Sequence, residues 1–176
     1  MTPIVLGSLI FIHVFCGTLW AVGAFIIGYF VIPSVLEAGP GAGPVMGGIV
    51  AKRKFPIHMT VWALLTVLSG AILWTMDYNA KGGLDWVKRP EGAVLTLAAL
   101  GALHAFVKGL LVQKPTAEKM ATLGAQIAQA HGKPAPELLE AMKATQAKLG
   151  KVARSGAFEL LGVAALMALH QLLAQF

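Results

Sequence analysis

Charged residues are scarce in this sequence, and the first 36 residues contain none. Asp, Glu, Lys and Arg make up 12% of the chain, against roughly 25% in soluble proteins, whereas apolar residues make up 57%. The single cysteine, Cys16, excludes an internal disulfide. The motifs of phosphate-binding loops, dinucleotide-binding folds, zinc proteases and serine hydrolases are all missing. The sequence is therefore not that of a soluble domain, and the commonest classes of hydrolase and nucleotide-binding enzyme are excluded.

Four long apolar runs are present instead, at 4–32, 55–76, 92–113 and 155–176. A helix needs roughly 20 residues to cross about 30 Å of hydrocarbon. The first run lacks a basic start and is too long for a cleavable signal peptide. We therefore expect one all-α domain, an integral membrane antiparallel four-helix bundle in contact with the lipid bilayer.

Lysine and arginine are distributed unevenly between the connections. The first and third connections carry ten of these residues and the second carries three, while the termini carry none. The positive-inside rule then places the first and third connections in the cytoplasm and both termini outside. The net charge of +6 is explained by this topology and by contact with anionic lipid, without nucleic acid as a partner.

The third connection has the pattern of a cytoplasmic helical hairpin at about 116–152. Thr116 can cap a helix, and apolar residues follow at three-four spacing: Met120, Leu123 and Ile127. A turn at 131–136 precedes a return arm with a similar stripe. The hairpin is either a spacer or a docking surface for a protein partner.

Six ionisable residues lie inside the expected spans, where such side chains usually mark a functional site. Four are histidines, one in each span, and the set is His13, His58, His104, Lys108, Glu159 and His170. Neutral imidazole is a ligand of haem iron, and helix bundles present such ligands on facing helices. Copper is less well supported, because it favours clustered sulfur ligands and the seven methionines are scattered. The pattern indicates b-type haem.

Depth decides which histidines could share one iron. Counted from the outer ends of the apolar runs, the depth of His13 is roughly 15 Å and that of His104 roughly 18 Å, whereas the depth of His170 is roughly 9 Å. His13 and His104 are the favoured axial pair, with His170 as the alternative ligand. Three further residues could line the cofactor or simply pack between helices: Gly17, Trp20 and Gly101.

A second polar cluster is expected nearer the cytoplasm. Similar depth allows an ion pair between Lys108 and Glu159. His58 is expected close to this pair, since its depth counted from the end of its apolar run is roughly 27 Å. The pair either neutralises two charges or handles protons and the polar group of a quinone or porphyrin.

The segment His13-x6-Trp20-x2-Gly23 resembles the first helix of a bacterial group that includes HemJ-type protoporphyrinogen oxidases and CopD-type copper-resistance proteins. The third span, with His104 midway, is similar to the third helix of the HemJ type. The resemblance implies a bacterial inner membrane protein in which His13 binds haem b.

We therefore expect a b-type haem membrane protein that transfers electrons or oxidises a quinone- or porphyrin-like substrate. Two alternatives stay open: a cofactor-free accessory subunit of a larger membrane complex, and a transporter of metal or small solutes. A homo-oligomer is compatible with each of these functions.

Overall fold

A computed structural model describes residues 2–39, 43–130 and 132–175, so His131 in the expected turn lies outside the described residues. The described residues form helices and turns without strands. Four helices are long and apolar enough to cross a membrane, and two α-helices are short. All six are labelled in chain order. They are α1 (Pro3–Ala38), α2 (Gly43–Gly47), α3 (Phe55–Lys81), α4 (Leu84–Val87), α5 (Pro90–Gln129) and α6 (Pro136–Leu173).

Proline begins each of the four long helices. Pro3, Pro56, Pro90 and Pro136 all lie in the first turn, where the missing N–H costs no hydrogen bond. At the start of α1 the Thr2 side chain also accepts a hydrogen bond from the Val5 N–H at 3.4 Å.

All four long helices are longer than the expected spans, and three of them extend furthest beyond. α1, α5 and α6 contain 36, 40 and 38 residues, and each helix continues from an apolar run into the region expected to be a connection. The expected hairpin is thus the continuation of α5 and α6, whose contacts include Gly124 with Met142. The hairpin packs against α1, because Gly150 lies against Ile32 and Leu36 of that helix.

Two internal prolines coincide with π-helical segments. Residues Ile26–Val31 are π-helical just before Pro33, and Gly109–Gln113 are π-helical just before Pro115. Proline lacks an N–H and its ring crowds the carbonyl four residues earlier. The wider turn accommodates both effects, and the helix continues. A third π-helical segment, Gly48–Lys52, follows α2.

The long helices form a ring in which α1 packs on α3 and α6, and α5 packs on the same two helices. Two apolar cores lie along it. The central layer consists of Trp20, Ala63, Ala105 and Leu160. The hairpin core consists of Ile32, Met120, Leu149 and Ala153. We call the two sides of the central layer the terminal half, which holds Pro3 and Leu173, and the hairpin half.

The outside of the bundle is apolar. Only 11–22% of the residues in the most apolar stretch of each long helix are buried inside the chain. Large side chains such as Phe11, Leu68, Leu100 and Leu172 are exposed there. A surface of this kind is suited to lipid.

Candidate functional site

His13 lies between α1 and α3 in the terminal half. Its Nδ1 is 2.9 Å from the backbone carbonyl oxygen of Thr66 and 3.3 Å from the Ser69 hydroxyl. A carbonyl oxygen only accepts hydrogen bonds, so Nδ1 carries the proton and Nε2 keeps its lone pair. The ring lies against Gly70, where an added Cβ would be 2.7 Å from the ring carbon Cε1.

His170 has the same arrangement between α6 and α5. Its Nδ1 donates to the carbonyl oxygen of Glu91 at 2.9 Å, and the residue is 6% exposed. Metal-binding histidines are typically oriented by such a bond from the second ring nitrogen. Both His13 and His170 therefore have the orientation of a ligand, and both leave Nε2 free of the bond that holds the ring.

His104 is held differently. Its Nδ1 contacts the carboxylate of Glu159, and 69% of its side chain is exposed on the outside of the bundle. Glu159 also pairs with Lys108, and these two side chains are only 19% and 21% exposed. The ion pair expected between Lys108 and Glu159 is thus present, and His104 completes what we call the polar triad.

His58 does not join this triad. Its Nδ1 bonds to the Lys54 carbonyl oxygen of the same helix at 3.0 Å, its ring is tilted against Trp62, and the residue is exposed. Sequence depth alone placed His58 beside Lys108, but the bonds that the structure shows keep the imidazole on its own helix.

The central layer gives a common reference for the heights of the histidines. Counting residues from the layer at 1.5 Å each, His13 lies roughly 10 Å into the terminal half and His170 roughly 15 Å. His104 lies within roughly 2 Å of the layer. His170 is therefore closer in height to His13 than His104 is, whereas counting from the apolar runs favoured His104.

The other residues expected at the site lie in the terminal half or in the central layer. Gly17 lies in the terminal half against Thr66, where an added Cβ would be 3.3 Å from its methyl group. Gly101 faces Val163, which indicates close packing between α5 and α6. Trp20 is buried in the central layer, with 7% exposure.

The residues around His13 that sequence analysis missed come from α3. Thr66, Ser69 and Gly70 lie at i, i+3 and i+4, the spacing of one helix face, and Thr66 and Ser69 are buried. Small and hydroxyl-bearing residues at this spacing are typical of helix contacts in membranes. That stripe is the sequence signal that could have predicted the partner of His13.

A partly open cavity of about 110 Å³ lies between the two cores. Its walls include the whole central layer, together with Ile32 and Leu149 of the hairpin core. Lys108 of the polar triad also lines it, whereas none of the histidines does.

In the described parts of the chain, no group of three or more His, Cys, Asp or Glu side chains could hold a metal ion. No family model, curated protein or solved structure matches the chain. The candidate sites are thus the two oriented imidazoles of the terminal half and the polar triad beside the cavity.

Proposed function

We propose that the chain is a multi-pass protein of the bacterial inner membrane, with its four long helices antiparallel and both termini on the periplasmic side. Four apolar helices with lipid-compatible surfaces support the membrane location. The excess of Lys and Arg in the first and third connections supports the orientation. The hairpin half then faces the cytoplasm.

Within this membrane protein, His13 would hold a b-type haem that takes part in electron transfer. The observation that carries the proposal is the Nδ1–H bond from His13 to the Thr66 carbonyl at 2.9 Å. This bond fixes the tautomer and the orientation of the ring, and it leaves Nε2 as the iron-binding nitrogen.

His170 is better suited than His104 to be the second ligand. It is buried, its ring is oriented by a backbone carbonyl, and its height is closer to that of His13. His104 is exposed and engaged with a carboxylate, which suits a proton-handling role beside Lys108 and Glu159. His58, on the outside of α3, has no part in haem ligation.

Imidazole nitrogens are donors that suit haem iron, and Ser69, which contacts His13, is a small side chain. The close approach of His13 to Gly70 shows that α1 and α3 are packed together here, so these two helices would have to separate to hold a haem. The bound haem would supply one-electron chemistry. The chain contributes the two ring nitrogens, their orientation and an apolar surrounding.

The electron partner of this haem is a quinone- or porphyrin-like molecule, in keeping with the resemblance of the first span to the HemJ-type group. A molecule of this class dissolves in lipid and reaches the bundle from the membrane. The hairpin is where a protein partner would bind.

The test is the dithionite-reduced minus oxidised absorption spectrum of the purified protein. We expect a b-type Soret band in the wild type, its loss in His13→Ala and a strong reduction in His170→Ala. His58→Ala is the matched control and should keep full haem content. A full haem content in His13→Ala would refute the assignment, and a colourless wild type that co-purifies with a large complex would favour the accessory-subunit alternative.

A further inference from the structure

The cavity lies where the helices change from α-helical to π-helical turns. Residues from all three described π-helical segments line it, among them Ile27, Val50 and Gln113. π-Helical turns widen the backbone locally and are frequent at functional sites. Three different π-helical segments therefore border the same cavity. An ordinary gap between packed helices does not require such segments.

The size of the cavity limits its occupant. A cavity of about 150 Å³ lined by aliphatic and aromatic groups accommodates benzene. The present cavity of about 110 Å³ is somewhat smaller, of the order of one six-membered ring. Trp20, Phe55 and Phe106 contribute aromatic walls, and Met46 and Met59 contribute flexible ones. Methionine side chains adapt to a ligand at low cost.

Two hydrogen-bonding side chains meet at one wall of the cavity. A methyl group added to Gly156 would lie 3.7 Å from Gln113 Oε1 and 4.0 Å from Lys108 Cε, so both side chains converge on the surface of this glycine. Lys108 has three N–H donors, and its ion pair with Glu159 holds the ammonium group in place. The cavity thus offers polar groups at one edge of an otherwise apolar, ring-sized space.

We propose that this cavity binds the head group of a quinone-class molecule, with Lys108 and Gln113 as hydrogen-bond donors to its ring oxygens. A neutral ring suits the cavity, since the charge of Lys108 is already balanced by Glu159. The exposed His104 ring continues the triad from Lys108 to the outside of the bundle. The choice of a quinone among ring compounds rests on the redox function proposed above, whereas the binding site stands on the cavity itself.

Photoaffinity labelling with a short-chain azidoquinone tests the site in detergent-solubilised protein. We expect saturable labelling of peptides that carry Trp20, Met59 or Phe106, suppressed by excess short-chain ubiquinone. An alkylbenzene of the same tail length, which lacks ring oxygens, should compete far less well. Labelling confined to lipid-facing residues, or equal competition by the alkylbenzene, would overturn the proposal.

Variants of the two donors sharpen the test. Lys108→Met should weaken quinone binding about tenfold and Gln113→Leu about fivefold, in line with charged and neutral hydrogen bonds. Gln113→Leu leaves the ion pair intact, so it separates a lost donor from a disturbed fold. Lys88→Met, at an exposed lysine of the opposite end, is the control. Unchanged affinity in both cavity variants would refute the assignment.

The same measurements on His13→Ala distinguish this inference from the haem proposal. Cavity labelling that persists in the variant without haem supports the cavity independently of the haem. If the wild-type protein shows the haem spectrum but no specific labelling of the cavity, the quinone site alone is refuted.

Discussion

The terminal half and the hairpin half of the bundle use polar residues in different ways. In the terminal half, His13 and His170 are each tied to a backbone carbonyl of a neighbouring helix. In the hairpin half, charged side chains pair with one another beside a cavity and π-helical segments. The first arrangement holds single rings in a close-packed region, whereas the second places a charged pair beside open space. The two oriented histidines and the cavity thus lie in different halves of the same helices.

The largest effect on stability should come from breaking the polar triad. Glu159→Gln leaves the Lys108 ammonium without its carboxylate, and loss of one partner from a buried pair costs about 3–5 kcal/mol. Because the two side chains are about one-fifth exposed, we expect about 2–3 kcal/mol, measured by thermal unfolding in detergent. The double variant with Lys108→Met should regain part of this loss.

Asp77→Asn provides the matched control in the terminal half. Its partner Lys81 lies 2.9 Å away on the same helix, and both side chains are more than one-third exposed. The expected loss is less than about 1 kcal/mol. Equal losses in Glu159→Gln and Asp77→Asn would remove the distinction between an ordinary surface ion pair and the triad.

The next effect concerns the contact between α1 and α6 beside the hairpin core. A Cβ added to Gly28 would lie 2.6 Å from the Ala153 carbonyl oxygen, and a backbone atom has little freedom to move. Gly28→Ala should therefore destabilise the fold by about 1–3 kcal/mol in thermal unfolding. Gly162→Ala is the control, because nothing lies within 4 Å of its added Cβ. That variant should be stabilised by up to about 1 kcal/mol through helix propensity.

Apart from the controls, the smallest effect on stability should come from Gly70→Ala in the terminal half. Its added Cβ meets the His13 ring instead of backbone, and the side chain can rotate away at a cost of about 1 kcal/mol. The displaced ring would lose its bond to Thr66, so the haem spectrum should weaken much more than stability does. A large loss of stability with an unchanged spectrum would contradict the idea that Gly70 positions His13.

The existence of four apolar helices could be predicted from the sequence, because long uncharged runs have few alternatives to crossing a membrane. The ends of the helices could not. The first and third spans were expected to end at residues 32 and 113, but π-helical turns carry both helices past Pro33 and Pro115. The pattern of proline alone does not show whether a helix stops or widens.

One contact of the candidate site was predictable from the sequence, and the third residue that joins it was not. The ion pair of Lys108 with Glu159 followed from similar depth and opposite charge, and the structure contains it. The third member is His104 instead of His58, because only His104 lies on α5 at one turn from Lys108. For His104, the height counted from the apolar runs differs from the height counted from the central layer, since α5 and α1 do not begin at the same level relative to that layer.

Helix α6 is one α-helix over its 38 residues, and it belongs to both cores. At 100° per residue, a single amino acid inserted after Ser155 would turn Leu160 and His170 away from their neighbours while leaving Leu149 in place. The rotational setting of the hairpin and that of the His170 ring are therefore locked to each other. Length in this segment can change only in steps that restore the angular phase, such as seven or eleven residues.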